Sequence, residues 1–305
     1  MSHRSAVLLM LLVTLMWSSA GVVTRHLEAA RGFEITFWRS SFNAVALVAI
    51  LGVMRGRGLL ASMRGRLVWA SGVCWAVMFT AFMVALSLTT VANVLVTMSL
   101  SPLFTAVFAR VFLRQAIPAR TWAAIGVAAV GIAWMFGRQL GGPLAGVGVA
   151  LAVPIAAATN WCLLQKVGQG DQVPDGCVAS VSPGGPGTDM LPAVLIGALI
   201  SAAATLPLAW PLQASAHDMG LLGLLGLCQL AIPCLLAVRL ARELPGHEIA
   251  LLGLAETVLG VLWAWAFAGE HPGQPALIGG SLVIGALIAN ETLAPGADRI
   301  VTKNA

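Results

Sequence analysis

The chain alternates between long apolar runs and short polar connections. Apolar runs fall near 5–24, 34–54, 67–88, 91–113, 120–137, 144–164, 190–211, 219–238, 247–268 and 274–292. Each is about 18–23 residues, the length a helix needs to cross a ~30 Å hydrocarbon layer at 1.5 Å per residue. In lipid every backbone N–H and C=O must bond internally, so a crossing segment is a helix or a barrel strand. These runs are too long and too uniformly apolar for strands. The pattern predicts an all-α membrane protein with ten transmembrane helices. Between the third and fourth, only Ser87, Thr89 and Thr90 mark a turn. The first run has Arg4 before it and Ser18-Ser19-Ala20 within it, as a signal peptide would. Its length, and a later counterpart in the chain, predict a span instead.

Composition agrees with the pattern. Of 305 residues, 59% are hydrophobic and only 10% charged, against about 25% charged in a soluble domain. The length would suit two soluble domains, but such a chain cannot cover a water-facing surface. The net charge of +5 points to no nucleic-acid partner, because the basic residues sit in short connections. Their distribution sets orientation instead. With the N-terminus inside, thirteen Lys and Arg fall on the inner side and three, Arg25, Arg31 and Arg138, on the outer side. The positive-inside bias predicts a multi-pass protein with both termini cytoplasmic.

The chain also repeats. Pro102 through Gly131 align with Glu256 through Gly285 at an offset of 154 residues, pairing Pro118 with Pro272, Gly126 with Gly280 and Gly131 with Gly285. Each half holds five helices. Five is odd, so the halves are expected to be inverted relative to one another, a signature of secondary transporters that bind near the midplane. Residues 1–166 carry the first five-helix half, followed by the sixth helix at 144–164, which belongs with the second half. Residues 167–189, rich in Gly and Pro, are expected to be a flexible cytoplasmic linker, and 190–305 complete the second half.

Few polar groups interrupt the runs. Glu256 lies about nine residues into its run, roughly 13 Å deep and near the midplane. An ionisable group there costs at least about 2.5 kcal/mol to bury, so it is expected to face a polar cavity. A protonatable group at that depth suits coupling to protons; the bland alternative is a hydrogen bond to a neighbouring helix. Arg39 lies about five residues into the second helix, placed to meet a substrate carboxylate; the alternatives are snorkelling or pairing with Glu34. Trp17, and Trp263 on the face of Glu256, are candidate apolar walls of a substrate site, and Asn160 and Trp161 in the sixth helix are candidate lining residues. Pro102, the repeat partner of Glu256, is expected to kink the fourth helix. Asn93, at its opening, reads as cavity lining or as an end cap. Gly126, Gly131, Gly279, Gly280 and Gly285 allow close helix contact. The five cysteines form no Cys-x-x-Cys pair, the five histidines sit at span ends or in loops, and no phosphate-binding Gly-Lys-Ser/Thr loop occurs. Metal, cofactor and ATP-driven chemistry are therefore not indicated.

A family resemblance accompanies these readings. Leu15-Met16-Trp17-Ser18-Ser19, Phe37-Trp38-Arg39, Ala92-Asn93 to Ser101-Pro102-Leu103-Phe104, Phe112-Leu113, Leu254-Ala255-Glu256-Thr257-Val258, Phe267-Ala268-Gly269-Glu270 and Ile278-Gly279-Gly280 resemble, in order, an EamA-type member of the drug/metabolite transporter superfamily. Arg114-Gln115 stands where that family often has Gly-Glu. The resemblance implies a ten-helix carrier of the inner membrane, often an exporter of amino acids or other metabolites. The expectation is a secondary transporter for an amino acid or drug-like solute, not an enzyme, working by alternating access around a cavity lined by helices one, two, four, six and nine. Its partners would be a small-molecule substrate, the lipid bilayer, protons, and a second copy in a homo-oligomer. The alternatives are a membrane binding or assembly protein that transports nothing, and an intramembrane enzyme.

Overall fold

In a computed structural model the chain is a bundle of helices, described over residues 1–137, 144–170, 189–268 and 273–293. Arg138, most of the expected linker, Gly269-Glu270, Arg299 and Lys303 lie outside the described residues. No strand occurs among the described residues. Among them, ten helical stretches are long and apolar enough to cross a membrane: His3–Thr24, Phe33–Arg55, Arg66–Leu88, Asn93–Phe112, Ala119–Phe136, Ala145–Gly168, Pro192–Ala209, Ala216–Leu240, Gly246–Phe267 and Gln274–Thr292. They agree with the predicted runs to within a few residues, and an all-α multi-pass membrane protein results. The sixth helix runs on to Gly170, so residues 167–170 are helical rather than linker.

Four spans are interrupted. The first is α1 (His3–Ser18) and α2 (Ala20–Thr24). The second is α3 (Phe33–Arg55), followed by a short α4 (Leu59–Ser62). The third is α5 (Arg66–Leu88), and the fourth is α6 (Val91–Met98) and α7 (Ser101–Phe112). Next come α8 (Ala119–Phe136), α9 (Leu144–Gly170) and α10 (Pro192–Ala209). The eighth span is α11 (Ala216–Leu224), a π-helical segment at Leu225–Ala231, and α12 (Ile232–Leu240). The ninth is α13 (Gly246–Gly253) and α14 (Ala255–Ala268), and the tenth is α15 (Gln274–Thr292).

The interruptions have local causes. At Ser19, Leu100 and Leu254 the backbone tightens, and these residues donate to Met16, Thr97 and Leu251, three positions back. One such turn shifts the ladder and leaves a carbonyl free for another partner. Pro102 and Pro233 follow two of the irregular stretches and occupy the first turns of α7 and α12, where a missing N–H costs nothing.

Packing around the bundle is reciprocal. The first span packs on the eighth and ninth, and the sixth packs on the third and fourth. The second span packs on the seventh and eighth, and the seventh on the second and third; the fifth lies along the tenth. The sixth, seventh and eighth spans are the most enclosed, each more than half buried along its most apolar stretch. Val48, Val53, Val130, Leu208 and Ile288 are exposed on the outside, as a lipid-facing belt requires.

Small residues set the closest approaches. A Cβ at Gly131 would come 2.8 Å from the Gly279 carbonyl oxygen, and one at Gly226 would come 2.8 Å from the Asn43 nitrogen. Gly126 and Gly285, expected to serve the same purpose, face open space.

Two carboxylates fasten the end opposite the N-terminus. Fully buried Asp218 accepts N–H bonds from Glu28, Ala29 and Ala30 at 2.8, 2.9 and 2.8 Å and completes a capping box with Ser215 on α11. Glu34 accepts from the Gln213 and Ala214 backbones at 2.7 and 2.8 Å. Each loop is thus held by an acid at the start of a helix in the other half. Glu34 is therefore engaged with backbone rather than paired with Arg39.

Candidate functional site

Arg39 is six residues into α3 and only 8% exposed. Its guanidinium donates to Gln229 Oε1 at 2.9 Å and contacts the Met83 sulfur at 3.4 Å, while its Nε is buried without a partner. Gln229 lies in the π-helical segment. Its amide nitrogen donates in turn to the Trp17 carbonyl at 3.3 Å, beside the break in the first span. The bulge of the eighth span and the tightened turn of the first thus supply the two ends of one polar bridge. A wide turn of this kind is found at functional sites more often than chance predicts.

Glu256 opens α14, two residues after the Leu254 break, and is partly exposed within the bundle. It lies within electrostatic reach of Arg39, but Arg39 makes its hydrogen bonds elsewhere and no ion pair closes between the two. A buried cation without a bonded anion is costly. Cys234 of α12 lies against Trp17 and near both charges.

Trp263 donates from Nε1 to Ser18 Oγ at 2.9 Å, and stacks on Phe267 with ring centroids 5.3 Å apart. It thereby closes the ninth span onto the first next to Trp17. One turn from Arg39, Asn43 is fully buried with neither amide atom bonded; Thr36 Oγ1 is likewise unpartnered. Across the same helix, Ser40 and Thr80 both donate to the Ser201 hydroxyl at 3.0 and 2.9 Å. α3 therefore presents a column of polar groups toward its neighbours.

The structure thus brings Glu256, Arg39, Trp17 and Trp263 into one region. It does not bring Asn160 and Trp161 there. Asn160 Oδ1 accepts from Ser71 at 2.5 Å, and Trp161 meets Trp75 edge-on at 5.9 Å. Trp161 lies against Gly246, the first residue of α13 and roughly 15 Å along the span from Glu256. These residues seam α9 to α5 and α13. The polar region therefore draws on spans one, two, three, eight and nine; spans four and six, expected in its lining, turn toward this aromatic seam because α9 packs on α5 and α7. Pro102 is buried in the first turn of α7. Asn93 is buried and donates to Thr89 Oγ1 at 2.7 Å; Thr90, not Asn93, caps α6. Sequence reading missed Gln229, Asn43, Ser18 and Cys234. A run containing Gln in an otherwise apolar stretch was the one signal available.

Two surface grooves lie away from this region. One of about 310 Å³ runs between α8 and α15 past Arg120, Val127 and Asn290. The other, about 160 Å³, lies between α3 and α12 past Met54 and Arg239.

Ten apolar helices, several interrupted around a charged region in the bundle interior, define a multi-pass membrane protein. Residues 4–137 match the EamA-like transporter family. That match supports an EamA-type transporter of the drug/metabolite transporter superfamily. A solved crystal structure superimposes with a TM-score of 0.74 over 96% of this chain and 99% of its own, at 18% identity. That likeness concerns the fold alone. Among curated proteins, none matches the chain.

Proposed function

We propose that this protein is a secondary carrier that exports a small metabolite, an amino acid or drug-like solute, across the inner membrane by alternating access. The observation that carries the reading is the unjoined pair of charges within the bundle, buried Arg39 and partly exposed Glu256, set beside interrupted helices. Carriers place substrate groups against such breaks near the midplane. Arg39 would hold an anionic group of the solute and Glu256 a cationic group or a proton, with Trp17 and Trp263 as apolar walls.

Inverted five-helix halves give this pair a way to be reached from either side. Several features support the repeat beyond sequence. The breaks at Leu100 and Leu254 are 154 residues apart. Gly72 packs on Ile196 of the seventh span, and Gly226 on Phe42 of the second; the same offset converts one pair into the other. Both termini would lie in the cytoplasm, a second copy could join in a homo-oligomer, and the energy would come from a proton gradient or from the substrate's own.

The rival reading is a membrane binding or assembly protein that moves nothing. Comparing metabolites retained by cells with and without the protein identifies a solute. Counterflow of that solute in vesicles bearing the purified protein then separates the readings. The carrier accumulates labelled solute transiently against an internal unlabelled pool; an assembly protein gives the trace of empty vesicles.

A further inference from the structure

We propose that His3, Glu248 and Glu291 form a divalent transition-metal site that ties the first, ninth and tenth spans together at the end of the bundle where the chain begins. His3 opens α1, Glu248 lies in the first turn of α13, and Glu291 lies in the last turn of α15. Their ligand atoms all lie within 4.8 Å of one another. His3 Nε2 and Glu291 Oε2 are 3.4 Å apart. Two donors bound tetrahedrally at ~2.1 Å to one ion are separated by about 3.4 Å. One edge of the site is already formed, and the third donor lies within 4.8 Å of both the others.

The surroundings favour a cation. Glu248 Oε2 is sealed from solvent and accepts no hydrogen bond, a state that is costly unless something compensates the oxygen. Arg120 is within electrostatic reach of Glu248, but it donates at 2.7 Å to the Leu293 carbonyl. The Met1 amino group, two residues before His3, pairs with Glu243 at 3.6 Å. Asn290 Nδ2 reaches Glu291 Oε1 at 3.5 Å, while its own Oδ1 accepts from Thr121 at 3.0 Å. That chain orients the glutamate as outer-shell partners orient metal ligands. Two carboxylates and a neutral imidazole carry a charge that one divalent ion cancels. The nitrogen donor selects zinc or a similar ion over magnesium and calcium, which take oxygen ligands. The His3 side chain is 36% exposed and that of Glu291 22%, which leaves a route in and a coordination position for water.

The test uses full-length, tag-free protein in detergent, stripped with chelator, kept reduced, and titrated with zinc chloride, with magnesium chloride as control. Calorimetry should show one zinc per chain, and zinc but not magnesium should raise the melting temperature. His3→Ala and Glu291→Gln should each weaken zinc binding about tenfold or more and remove the melting shift. His3 sits at a helix start near the chain end, so His3→Ala keeps the fold intact if Glu291→Gln does not. Zinc binding unchanged in His3→Ala would assign the metal elsewhere, to the cysteines or to His217 beside Glu28, and overturn the proposal; so would the absence of stoichiometric binding. All of these readouts stand apart from transport.

Discussion

Arg39 is held by neutral partners, and that decides what its neighbours can do. Gln229 Oε1 is its oxygen acceptor at 2.9 Å. Gln229→Leu removes that acceptor and leaves a buried donor unmet, at a cost of about 1–3 kcal/mol, read as a lower melting temperature in detergent together with slower transport. Gln229→Glu should act in the opposite sense on stability. A full anion there would seal the guanidinium into an internal ion pair, raising the melting temperature while weakening substrate binding. Unchanged apparent substrate affinity in Gln229→Glu would argue against Arg39 as a binding group. Glu256 and Arg39 were legible in the sequence because a charge in an apolar run stands out whatever it touches. Gln229, Asn43 and Ser18 were not, because a neutral polar residue barely changes hydropathy. Nor could depth along a helix tell which way it faces. Asn160 and Trp161 sit at a plausible depth, yet they turn toward Ser71 and Trp75, away from the charged region.

At the level of helices, the sequence marked lengths and ends well, because hydropathy and the cost of unbonded backbone in lipid dictate them. It marked interruptions poorly. Pro102 signalled the break in the fourth span, but the break at Leu254 has no proline, and the π-helical turn in the eighth span begins well before Pro233. Glycine was likewise ambiguous until packing was known. Gly279→Val drives a side chain into the Gly131 backbone and Met135 of α8, and should destabilise the protein by about 1–3 kcal/mol. Gly285→Val, on the same helix but facing open space, should leave the melting temperature within error of wild type. Equal effects of the two would contradict the close α8–α15 contact. At the opposite end, Asp218→Ala should free the Glu28–Ala30 backbone that it now fastens. Amide exchange there should quicken before exchange in the spans does, and uniform acceleration would show that the clamp is not local.

For the whole molecule, sequence and structure meet on ten spans and diverge on what encloses the charges. The 154-residue offset was visible in one stretch of each half. The Gly72–Ile196 and Phe42–Gly226 contacts share that offset, and under the proposed repeat they would extend it to the second, third, seventh and eighth spans. The proposed inversion predicts that reporters fused after Ala305 and placed before Met1 will both read cytoplasmic. A reporter inserted at Ala214, in the connection between the seventh and eighth spans, will read external. The central claim is that a solute binds between Arg39 and Glu256. Its most direct measurement is substrate flux into vesicles by wild type, Glu256→Gln and Arg39→Gln, each at matched protein incorporation. The account predicts that both variants insert normally and lose most of the flux, and that Glu256→Gln also loses the dependence of flux on pH. Wild-type flux with wild-type pH dependence in Glu256→Gln would contradict it.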